Sequence, residues 1–165
     1  MCPRPLWSIV VNLDLAGLME TAKANLARDG FLAPVLLVEA KGRPLLIAIE
    51  EMPATSALRA ELLRTIGARL ARRRPRAAAL VIDAYVNHSE GVTGSFADDP
   101  GSTDCLVVAS LTADGRSEML LCAYERVPLL GGLEIEYKAV EPFESAARLY
   151  LLEAFFEGAD GSLGA

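Results

Sequence analysis

The sequence predicts a single α+β domain, a mainly antiparallel sheet of five or six strands with helices on both faces, in the order αββαββββα. Three observations carry that expectation. Apolar residues recur at helical spacing in three separated segments, and short apolar runs of strand length fill the intervals between them. The 165 residues fit the usual size of one domain, and no linker is long enough to divide two. The stretch from Leu106 to Ala123 is apolar on both faces of any strand it forms, so it needs cover from both sides. Residues 12–157 are expected to form the ordered core and residues 158–165 a flexible tail.

From Asn12 to Arg28, the residues Leu15, Leu18, Met19, Ala22 and Leu26 mark one apolar helix stripe, with Asn12 or Asp14 as cap. Asp29-Gly30 ends that helix, because glycine takes the left-handed backbone of such stops. Two extended runs, Val35–Ala40 and Leu45–Glu50, flank Lys41-Gly42-Arg43-Pro44 and read as a hairpin. Pro53 and Thr55-Ser56 open a second helix, in which Leu58, Leu62, Ile66 and Leu70 form a four-residue seam. Pro75 stops it, and a strand follows over Ala78–Val86.

A long loop then leads to a hairpin around Asp114-Gly115. A two-residue turn there would set Cys122 opposite Val107 and Cys105 opposite Tyr124. The two cysteines would be diagonal neighbours about 7–8 Å apart, a poor geometry for a disulfide. Gly131-Gly132 precedes a final strand, Leu133–Val140. Its Leu133, Ile135, Tyr137 and Ala139 share one face, while Glu134, Glu136 and Lys138 share the other, the pattern of an exposed or edge strand. The last helix is expected over Phe143–Phe156, with Phe143, Ala147, Tyr150, Leu151, Ala154 and Phe155 along one side.

The composition narrows the class of protein. At 52% hydrophobic residues the chain is rich, yet its longest apolar runs fall far short of the about 20 residues that span a bilayer. The N-terminus has one arginine before an apolar run broken by Asn12 and Asp14, a poor signal peptide. Cys2, Cys105 and Cys122 lack a spaced framework and are expected to be reduced thiols in the cytoplasm. One histidine and no C-x-x-C argue against a zinc site, and no metal or cofactor is expected. The net charge of −6 is unevenly divided, +5 over residues 1–82 and −11 over residues 83–165. Oppositely charged edges of one fold account for such a division.

Three places could carry chemistry. The segment Ile82–Cys105 holds Asp83, His88, Ser89 and Glu90, and a histidine beside a carboxylate could serve as a general base. Asp83, His88 and Glu90 are therefore the catalytic candidates if the chain is an enzyme, with Tyr85 and Asp104 as binding residues at the ends of the loop. No G-x-S-x-G or other nucleophile motif surrounds a serine. Asp98–Asp104 is acidic but lacks the alternating oxygens and closing glutamate of a calcium loop. Ala68–Arg76 is a basic patch of Arg69, Arg72, Arg73, Arg74 and Arg76. Such cations complement a helix C-terminus, and no aromatic residue interleaves with them, which argues against nucleic acid. No phosphate-binding glycine motif is present.

The run LMETAKANLARDGFLAPVLLV, followed by a hairpin, a seamed helix and AAALVIDAY, resembles a loose group of small uncharacterised bacterial proteins. In that group a helix, Asp-Gly and a proline precede a hydrophobic strand, and a later strand ends in an acid–small–aromatic triplet. Asp83-Ala84-Tyr85 stands at the place of that triplet. The element order is also partly like that of roadblock-type dimerisation domains. Neither resemblance implies an activity. The expected function is a non-catalytic interaction or regulatory domain that forms a homodimer, with a further protein partner allowed and no membrane contact. The alternative is a small hydrolase-like or ligand-binding protein using the loop after Ala78–Val86.

Overall fold

The computed structural model describes residues 14–40, 43–87, 91–93, 102–142 and 149–163. Helix α1 runs Leu15–Asp29, and Leu15, Leu18, Met19, Ala22 and Leu26 are its buried stripe, as the spacing requires. Gly30 closes it at φ 78°, its N–H donating to the Leu26 carbonyl at 2.8 Å. Asn25 lies in the same stripe, and among the described residues its buried Oδ1 accepts no hydrogen bond. That omission costs about 1–3 kcal/mol.

Strands β1 (Val35–Ala40) and β2 (Arg43–Ala48) form the first hairpin. β2 starts two residues before the expected Leu45, with Arg43 already paired to Ala40. Helix α2 (Ser56–Arg69) is capped by Thr55, whose Oγ1 accepts from the Leu58 N–H at 3.2 Å. A 3-10 turn, Ala71–Arg73, and Arg74 in the left-handed region (φ 48°) lead into β3, Pro75–Asn87. The short β4 (Gly91–Thr93), β5 (Ser102–Thr112), β6 (Ser117–Leu129), β7 (Gly132–Pro142) and helix α3 (Tyr150–Leu163) complete the chain.

All strand pairs are antiparallel, in the order β2-β1-β3-β5-β6-β7, with β4 attached to β3. Helix α1 covers one face, where its stripe packs on Val35, Leu37, Ala79, Val81, Leu106 and Val108. Helix α3 covers the other, where Leu152, Phe155 and Phe156 pack on Leu36, Val38, Ala78 and Leu80. The fold is α+β with helices on both faces. No described helix is long and apolar enough to cross a membrane.

Helix α2 lies on α3; of the expected seam, Leu62, Ile66 and Leu70 pack against the core there and Leu58 does not. The buried line of α2 is Leu63 and Gly67, while Leu58 is 57% exposed and Leu62, Ile66 and Leu70 are half-buried. The backbones of Gly67 and Gly158 touch the opposing helix so closely that neither could carry a Cβ. Its added carbon would stand 1.9 Å from the carbonyl oxygen of Phe155 or Arg64, respectively. Close approach selects glycine, so the contact line runs where an apolar count sees nothing. Arg64 ties the same two helices at the surface, reaching Glu157 at 3.1 Å and Glu61 at 2.8 Å.

Three further expectations are corrected. Helix α3 begins at Tyr150, not Phe143; residues 143–148, including Phe143 and Ala147, lie outside the described residues. It also continues through Gly158 to Leu163 with Ala159 buried, so the tail expected from 158 is helical over that span. The β5–β6 register differs by one residue: Leu106 faces Cys122 and Cys105 faces Ala123. The turn is a three-residue loop, Ala113–Gly115, closed by the Thr112 N–H to the Arg116 carbonyl at 2.9 Å, with Gly115 at φ 95°. A one-residue shift changes the face of every side chain relative to the partner strand.

The β6–β7 ladder shifts between Cys122 and Tyr124: Cys122 faces Val140, but Tyr124 faces Tyr137. The extra residue on β7 is a bulge. Beyond it Val140, not Ala139, packs on the α1 side. β7 is an edge strand as expected.

With Cys105 and Cys122 on opposite faces, no disulfide joins them; both are buried and free. Burial pushes the Cys105 thiol up to about 11 and raises that of Cys122 as well. In native protein at pH 8 both should therefore react slowly with a thiol reagent, whereas denatured protein without reductant should titrate three thiols. Rapid modification of Cys105 in the folded state would contradict this burial.

Candidate functional site

The one-residue register shift that separates the cysteines also brings Tyr124 to the face of Asp83. Asp83 stands opposite Leu106, and Leu106 opposite Cys122, so Asp83, Leu106, Cys122 and Tyr124 look toward α1. The Tyr124 hydroxyl donates to the Asp83 carboxylate, 2.7 Å from Oδ1 and 2.8 Å from Oδ2. Tyr124 is buried and Asp83 half-buried.

Burial raises the Asp83 carboxyl above its ordinary range; the Tyr124 hydrogen bond opposes that, nearby Asp104 adds to it, and Arg126 opposes it. Burial, followed by the hydrogen bond to Asp83, likewise holds the Tyr124 phenol far above its ordinary value. Tyr124 thus stays a donor, matched to a carboxylate that would otherwise lack a partner.

The surroundings make this a closed strut. Arg126 lies over the Tyr124 ring, 5.7 Å from its centroid, and donates from Nη1 to the Gly30 carbonyl at 2.8 Å. Tyr137 sits 6.3 Å from Tyr124 between ring centroids, and its hydroxyl donates to the Lys23 carbonyl at 2.5 Å. The Lys23 ammonium lies 5.4 Å over the Tyr137 ring. These contacts tie the C-terminal half of α1 to β3, β6 and β7. Asp83 accepts the single Tyr124 hydroxyl proton between its two oxygens, a structural use of the group.

The register groups Asp83, Tyr85 and Asp104 at one end of the sheet. Asp83 and Asp104 share a face at one end of the sheet, Asp104 half-buried. Tyr85 stands opposite Asp104 in the β3–β5 register. His88, Ser89, Glu90 and residues 94–101 lie outside the described residues. Among the described residues no group of three or more His, Cys, Asp or Glu could hold a metal ion. Arg69, Arg72, Arg73, Arg74 and Arg76 are all exposed at the opposite end of the sheet. Tyr124, Arg126 and Tyr137 were not among the expected site residues. The signal that could have found them was the three-residue turn, which alone puts Tyr124 beside Asp83. Comparison of the chain with family models, curated proteins and solved structures gives no match.

Proposed function

We propose that this chain is a non-catalytic interaction domain of the cytoplasm that works as a homodimer, its pairing surface on the α3 side of the sheet. The observation that supports the reading is apolar surface beside α3. Ala84, Cys105 and Val107 are buried there, and around them Ile82, Met119, Leu121 and Ala123 remain partly exposed on β3 and β6. A contiguous apolar face of that kind favours a partner. A second copy is the simplest occupant, because twofold pairing needs one self-complementary patch of about 800 Å² per partner. Reduced, buried thiols accord with the compartment.

Sedimentation equilibrium at micromolar concentration tests the reading. The expected result is twice the 17.6 kDa monomer. A monomer mass that does not change on tenfold concentration rejects it. The ligand-binding or hydrolase-like reading keeps one supporting observation, the raised carboxyl of Asp83. The Tyr124 hydroxyl on both of that carboxylate's oxygens weighs against it.

A further inference from the structure

The two ends of the sheet carry exposed charge of opposite sign. At the β3 start, Arg69, Arg72, Arg73, Arg74 and Arg76 are exposed, and among the described residues none of their side chains has an ion pair or hydrogen bond. Five such cations within eight residues are unusual in a chain of net charge −6. The far end is formed by β6 and β7. The β5–β6 ladder ends at Cys105–Ala123, and from Tyr124 on β6 pairs with β7 as a two-stranded arm. Arg126 fastens the arm to the end of α1 through the Gly30 carbonyl.

On the α3 side of this arm Glu125 stands directly opposite Glu136, and Glu134 follows two residues along. Like charges in opposed positions destabilise a hairpin. The nearest relief is an exposed Lys138–Glu125 pair at 3.6 Å, which contributes little. The arm ends in Leu129, 54% exposed, and a fully exposed Leu130. An acidic strip that repels itself and an apolar tip therefore project from one end. The arginine cluster sits at the other, where nearby acids include Glu39, opposite Ala77, and Asp114, which pairs with Arg116.

We propose that the arm of each copy docks on the arginine end of a second copy, so that two chains pair antiparallel about a twofold axis. The proposal rests on the homodimer reading above and deepens it. A twofold axis makes residue i of one copy meet residue j of the other and the reverse, so one arrangement satisfies both charged ends at once. It sets Glu125, Glu134 and Glu136 of one arm against Arg72, Arg73 and Arg74 of the other copy. The arm's acidic strip, the α2 end that leads into the arginines and the apolar patch all lie on the α3 side, so one interface can include the three. Leu129 and Leu130 then lie against α2 near half-buried Leu70 and Ile66.

The test measures self-association by sedimentation in low salt for the full chain and two charge reversals, Arg72→Glu/Arg73→Glu and Glu134→Lys/Glu136→Lys. All four positions are exposed, and circular dichroism melts check that each variant folds. Each reversal alone breaks both contacts of the homodimer and should raise the dissociation constant by about tenfold or more. An equimolar mixture of the two variants should pair again with near wild-type affinity, since each contact in the mixed dimer joins opposite charges. A wild-type dimer whose affinity neither reversal changes overturns this placement and leaves self-association standing. Reversals that weaken pairing without rescue on mixing overturn it as well. A wild-type chain that stays monomeric rejects both proposals. If that monomer binds duplex DNA through Arg72 and Arg73, the arginine end is assigned to nucleic acid instead.

Discussion

Alanine at Gly67 or at Gly158 is expected to cost about 3 kcal/mol of folding stability each, the upper part of the range for overpacking a rigid contact. The added methyl would meet backbone, not a side chain that could turn away. At Gly67 it stands 1.9 Å from the Phe155 carbonyl oxygen and 3.1 Å from the Ala159 nitrogen; at Gly158, 1.9 Å from the Arg64 carbonyl oxygen. Helices α2 and α3 would have to separate, taking Leu63 and Phe155 out of a core in which both are fully buried. Gly161, one turn further along α3, has nothing within 4 Å of an added Cβ. Gly161→Ala should therefore stabilise by about 0.5–1 kcal/mol, the ordinary helix preference for alanine. Urea midpoints of the three variants check this. Equal effects at Gly158 and Gly161 would mean that the crossing is not tight.

The same glycines show why part of the fold was legible in the sequence and part was not. Helix α1 was legible because its stripe faces one sheet and its stop residue, Gly30, has a backbone requirement independent of tertiary contacts. Helix α2 was legible in extent but only partly in orientation. Its apolar residues point to the Leu58–Leu70 seam, while the contact that holds it is a glycine pair from two helices about ninety residues apart. In α3, Gly158 and Gly161 read as a fraying tail, since glycine is a weak helix former. Burial against α2 overrides that preference.

The polar strut depends on a finer detail. Asp-Gly serves two-residue and three-residue hairpin loops alike, and only the three-residue loop here, with Gly115 at φ 95°, gives the observed register. A two-residue loop would have set Tyr124 on the face of Cys105, away from Asp83. The pair joins residues 41 apart in the chain, and no local pattern marks it. Asp83 was legible as a carboxylate of interest, but its partner was not.

Tyr124→Phe should therefore be costly, and its cost should depend on pH. The substitution keeps the ring packing on Tyr137 and Arg126 but removes the hydroxyl that serves both oxygens of Asp83. A half-buried carboxylate left without its donor loses a charge-assisted hydrogen bond, which costs about 2–3 kcal/mol at pH 7. The folded carboxyl is already raised above its unfolded value, so the native state binds more protons than the unfolded state between the two values. Asp83 therefore favours folding most below the unfolded pKa, and that contribution falls as pH rises through the folded pKa. Removing the hydroxyl raises the folded carboxyl further, so the fall continues to higher pH. At acidic pH, where Asp83 is neutral in both proteins, only an ordinary hydrogen bond is lost and the penalty should shrink to about 1 kcal/mol. In an Asp83→Asn background, Tyr124→Phe should cost a similar small amount at every pH. Denaturation of the four proteins from pH 3 to 8 separates the contributions. A Tyr124→Phe penalty independent of pH would mean that the hydroxyl does not serve an ionised Asp83.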